Sequence, residues 1–71
     1  MRWSELGRMQ PLGQIELSGQ PVEVFLAADG KMFQVRRGRG VFREIRPGER
    51  LGEFERWDLL MPDPFRASTV V

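Results

Sequence analysis

Four turn signals cut the middle of this chain into pieces too short to be anything but strands. Ser18-Gly19-Gln20-Pro21, Asp29-Gly30, Gly38-Arg39-Gly40 and Pro47-Gly48 leave the segments 12–17, 22–27, 31–37 and 41–46 between them. Each is six or seven residues long. That is ordinary strand length and well short of a stable helix. The clearest is 22–27, where Val22, Val24 and Leu26 alternate with Glu23 and Phe25. Asp29-Gly30 reads as a two-residue type I′ hairpin turn, since both residue types tolerate positive φ. Pro47-Gly48 suits positions i+1 and i+2 of a type II turn. The expected fold class is therefore mostly β (β or α+β): an antiparallel sheet of four to five strands, curled towards a small barrel.

Outside the strands the period changes. Leu51, Phe54, Trp57 and Leu60 or Met61 recur at three-to-four spacing, which predicts a short helical element over 51–61, stopped by Pro62 and Pro64. A last strand within 53–59 is the alternative. Residues 1–10 read as an N-terminal lid containing one helical turn. Ser4 is its expected cap, and Trp3 folds back over one end of the core. Residues 62–71 read as a C-terminal tail. Its ending, Ser68-Thr69-Val70-Val71, matches a loose carboxylate-capture pattern. The whole of 1–71 is taken as one domain, with neither repeat nor boundary.

The expected inward face comprises Ile15, Leu17, Val22, Val24, Leu26, Phe33 and Val35, while Phe25, Met32 and Phe42 point the other way. Apolar residues on both faces require both to be covered.

Composition excludes much chemistry. The chain has neither Cys nor His. A disulfide, a thiolate metal site, a serine triad and the commonest general base are all ruled out. Glu49, Glu53, Glu55 and Asp58 have no evident acid–base or metal partner. No cofactor and no catalytic residue are expected. No apolar run approaches a membrane span, and the N-terminus lacks a secretory core, so a cytoplasmic protein without membrane contact is expected. A chain this small has a thin stability margin, which homo-oligomerisation could widen. Ten Arg against one Lys, with no Asn or Tyr, points to a GC-rich coding genome and a bacterial or phage source.

The charge is segregated. Lys31 to Arg50 holds seven of eleven basic residues and two acids, a local +5 against −2 on either side. Within it, Arg36-Arg37-Gly38-Arg39-Gly40 falls at a hairpin turn. The candidate binding residues are Arg36, Arg37, Arg39, Phe42, Arg43 and Arg46, because guanidinium forks match carboxylates and phosphates. Phe33 and Phe42 flank the arginines, as base-stacking rings would. The bland alternatives are a charged edge hairpin that resists aggregation and phenylalanines that belong to the core.

The run from Leu12 to Arg50 resembles, in rhythm, small SH3-like or OB-like barrels, with short strands and tight glycine turns. That resemblance implies architecture and not function. Two functions follow. One is a protein-binding adaptor, accessory or inhibitory factor docking on a larger protein with an acidic surface. The other is a β-domain that binds RNA or DNA through Arg36, Arg37, Arg39, Arg43 and Phe42. The near-neutral total charge favours the first.

Overall fold

A computed structural model describes residues 1–63. Five antiparallel strands form one sheet in simple sequence order: β1 (Gln10–Leu17), β2 (Gln20–Leu26), β3 (Met32–Arg36), β4 (Val41–Ile45) and β5 (Asp58–Leu59). One short helix, α1 (Trp3–Leu6), precedes them. β1 and β5 are the two sheet edges, and no pairing between them closes a barrel among the described residues.

The turns set which side chains share a face. β1 and β2 are joined by Ser18 and Gly19, at φ 50° and 76°. This two-residue loop with two positive φ values has the type I′ signature that the sequence placed at Asp29-Gly30. The β2–β3 loop is instead one residue longer. Leu26 pairs with Met32, the Ala27 N–H donates to the Lys31 carbonyl at 2.8 Å, and Gly30 alone has positive φ, at 91°. Asp29 contributes through its side chain, accepting from the Lys31 N–H at 3.0 Å.

Ile15, Leu17, Val22, Val24 and Leu26 share one face, with Phe25 and Phe42 on the other, as expected, but the extra residue reverses the faces expected in β3, because a one-residue change of register flips a strand's side chains. Phe33 and Val35 lie with Phe25 and Phe42; Met32 lies with Val22 and Val24. Pro47-Gly48 turns as expected, with the Glu49 N–H on the Arg46 carbonyl and Gly48 at φ 89°.

Both faces are covered. On the first, Leu6 packs with Phe25, Val35 and Leu60, and Met1, Trp3, Met9 and Phe42 close around them. Trp3 is thus a lid, its ring against Gly40. Ser4 is not the cap: the helix starts one residue before it, and Glu5 accepts from the Arg2 N–H at 2.8 Å. The N-terminal strap is anchored at the far edge by a parallel bridge between Arg2 and Met61.

The second face, with buried Val22 and Val24, is covered by the 51–57 segment, which touches Gln34, Arg36 and Arg43. The expected helix over 51–61 is absent; the segment is irregular until β5. The cause lies across the sheet. Gln34, fully buried, donates from Nε2 to the Gly52 carbonyl at 2.8 Å and accepts the Gly52 N–H on Oε1 at 2.9 Å. The Gly52 carbonyl, which would accept from Arg56 in a helix over 51–61, is therefore committed to a side chain and withheld from that ladder. The three-residue period survives as contacts: Phe54 and Trp57 pack edge to face at 5.8 Å, and Leu60 crosses to the first core.

Candidate functional site

The basic block divides in space because it is a hairpin. β3 and β4 run antiparallel from the 37–40 turn, so Arg36, Arg37 and Arg39 gather at the tip while Lys31 and Arg46 meet at the open end. The strand between them is five residues, roughly 16 Å at the usual rise. At the open end a concavity of about 450 Å³ sets Lys31 and Arg46 among Asp29, Glu44 and Glu49. Its lining carries two basic and three acidic side chains, so it is slightly acidic and not a basic lobe.

At the tip, Arg37–Arg39 form one 3₁₀ turn ended by Gly40 at φ 66°. The three arginines differ. Arg36 is the last residue of β3 and points to the second face, where it is 8% exposed. Its Nη2 pairs with Glu53, and its guanidinium lies over the Trp57 ring, 4.7 Å from the centroid. Arg36 therefore does not project as expected: strand alternation turns it under the 51–57 segment, where it packs against Glu53 and Trp57. Arg37 faces the other way and grips Glu23 with Nε at 2.7 Å and Nη2 at 3.2 Å. Hydrogen bonding to Glu23 raises the Arg37 pKa further above its ordinary value. Arg39 is exposed and makes no hydrogen bond or ion pair among the described residues.

Of the other candidates, Arg43 lies half-buried over the Phe54 ring, 5.1 Å from its centroid. Phe42, its neighbour in sequence, turns to the opposite face and packs on the core, edge to face with Phe33 at 6.0 Å. The two do not form one stacking surface. Arg46 is exposed at the open end, where its backbone N–H is held by Glu49 at 2.7 Å.

Sequence reasoning missed three participants. Glu53 accepts from Ser18 Oγ at 2.9 Å and from Arg36. The Ser18 hydroxyl chiefly, then Arg36 and Arg39, hold its carboxyl below the ordinary 4.5, against the opposing effect of desolvation. Gln34 is the second, and a polar residue inside an apolar strand was its only signal. Trp57 is the third. Among the described residues no group of three or more acidic side chains could hold a metal, and no helix is long and apolar enough to cross a membrane. Comparison with protein-family models, curated proteins and solved structures finds no match to this chain.

Proposed function

We propose that this protein is a non-enzymatic binding domain, an adaptor, accessory or inhibitory factor that meets an acidic surface of a larger protein through the 37–40 tip. Arg39 and Arg37 are its leading contacts. The observation that carries this reading is the division of the basic block into two ends about 16 Å apart, with the far one neutralised by acids. A long polyanion needs a continuous positive track, and a single-stranded one also needs rings beside it. Here Phe42 and Arg43 occupy opposite faces. A compact patch of one or two arginines suits a carboxylate-bearing protein surface better.

The test is a pull-down from host lysate with wild type and Arg37→Ala/Arg39→Ala, each with and without nuclease. The expected result is a partner that survives nuclease and is depleted by the double variant. Loss of binding on nuclease treatment would turn the assignment to RNA or DNA. Purified partner should then bind the double variant with a slower, less salt-sensitive association rate.

A further inference from the structure

β1 is an open edge of the sheet along the whole of Gln10–Leu17. Glu16 is its single charged residue and none is Lys, so the usual charge guard of an edge strand is thin. What guard exists lies in the first half. Pro11 lacks a donor, and the register slips between Pro11 and Gly13, bulging Leu12 out of the ladder. Residues 13–17 are left regular and open to a further strand among the described residues.

The hairpin fixes which backbone groups face outwards. A two-residue loop makes its closing pair, Leu17 and Gln20, the hydrogen-bonded one, and the pattern alternates from there. Pro21, which has no N–H, sits opposite Glu16, where the alternation requires no bond. Glu16 and Gln14 therefore turn their N–H and C=O groups to the open edge.

The unguarded stretch is centred on Ile15, and an identical strand pairing antiparallel about that centre complements it throughout. A twofold axis through the sheet keeps like faces together, so Ile15 meets Ile15, Gln14 meets Glu16, and Gly13 meets Leu17. Gln14 and Glu16 then exchange backbone hydrogen bonds and set a carboxamide donor against a carboxylate. Centring one residue later would oppose two Glu16 carboxylates. Centring one residue earlier would bring Leu12 and Pro11 into the ladder. The Gly13–Leu17 pair is also matched in shape. Beside Gly13 on the second face lies an apolar groove of about 280 Å³, lined by Leu12, Gly13, Ile15, Val24, Met32 and Leu51. Leu12 and Leu51 are 47% and 45% exposed, and a Cβ on Gly13 would meet nothing within 4 Å. An incoming Leu17, on the same face, falls into this groove.

We propose that this protein forms a symmetric dimer through β1, joining two sheets into one, with Leu17 of each copy seated beside Gly13 of the other. The 37–40 tip takes no part, so the dimer is independent of the function proposed above and leaves both tips free.

Sedimentation equilibrium of the full chain tests this from about 1 μM to about 1 mM, the range that a short edge contact calls for. The mass should rise from 8.2 kDa towards twice that value. Gly13→Val should raise the dimer dissociation constant at least about tenfold, because its side chain takes the place of the incoming Leu17 while the single chain has room for it. Gln14→Pro, which removes an outward N–H and no internal bond, should do the same. Both variants should keep the wild-type circular dichroism spectrum at low concentration. In a mixture of ¹³C-labelled and unlabelled chains, isotope-filtered NOEs should join Gly13 Hα to the Leu17 methyls. A wild-type chain still monomeric at about 1 mM, or a dimer that both variants leave intact, would overturn the proposal. So would a dimer whose filtered NOEs arise elsewhere, residues 64–71 included.

Discussion

Gln34, Arg36 and Arg39 look alike in one respect, as polar residues in or beside a β-hairpin, yet they carry different loads. Gln34 supplies two part-buried hydrogen bonds to the backbone of one residue, Gly52. Gln34→Ala should cost about 2–3 kcal/mol, since it removes both bonds and strands the Gly52 backbone. Urea unfolding measures this, and a cost below about 0.5 kcal/mol would show that the clamp is incidental. Arg36→Ala should cost about 1–2 kcal/mol, because it removes a buried side chain packed on Trp57, while the Glu53 carboxylate it releases stays hydrated. Arg39→Ala should change stability by less than about 0.5 kcal/mol, as an exposed side chain without partners does. A ranking with Arg39 above Arg36 would refute the assignment of tip and anchor. Glu53 adds a pH dependence. Its folded pKa lies below the unfolded value, near 4.5, so its stabilisation is complete above 4.5 and fades as pH falls through the lower, folded value. Glu53→Gln should flatten the acid limb of a stability–pH curve below 4.5; an unchanged limb would remove Glu53 from the account.

At the scale of elements, the β2–β3 loop decides the register of β3. Three residues, Ala28 to Gly30, close that hairpin, and Gly30 alone adopts positive φ. Gly30→Ala should cost about 1–2 kcal/mol through left-handed strain, with nothing else for the added methyl to touch. A neutral substitution would mean the loop relaxes to another turn. Strand positions and turn positions were readable from glycine, proline and alternation. The length of this loop was not, because Asp29-Gly30 serves a two-residue and a three-residue hairpin alike. One extra residue then reversed the faces of Met32, Phe33 and Val35. The 51–61 segment failed as a helix for a non-local reason: its apolar spacing is real, but Gln34, eighteen positions upstream, takes the Gly52 carbonyl.

The whole molecule is a five-stranded sheet clad on each face by a segment with little regular structure of its own. The strap from Met1 to Met9 covers Phe25, Val35 and Leu60 and is tied to Met61 at the far edge. Such cladding should be cooperative with the sheet in so small a chain. Leu6→Ala is expected to cost about 3 kcal/mol, and removal of residues 1–9 to abolish a cooperative thermal transition by circular dichroism. A truncated chain melting like the full one would make the strap an accessory.

The sequence by itself determined that this chain is a small antiparallel β domain with its turns where glycine and proline sit, because backbone preference and side-chain alternation act over a few residues. It also determined that the arginines crowd around one hairpin. Only the tertiary structure decided that Arg36 is anchored, Arg37 paired and Arg39 left over. Those fates depend on which face a strand residue takes and on what distant segment lies opposite, and both are settled by loop length and long-range packing.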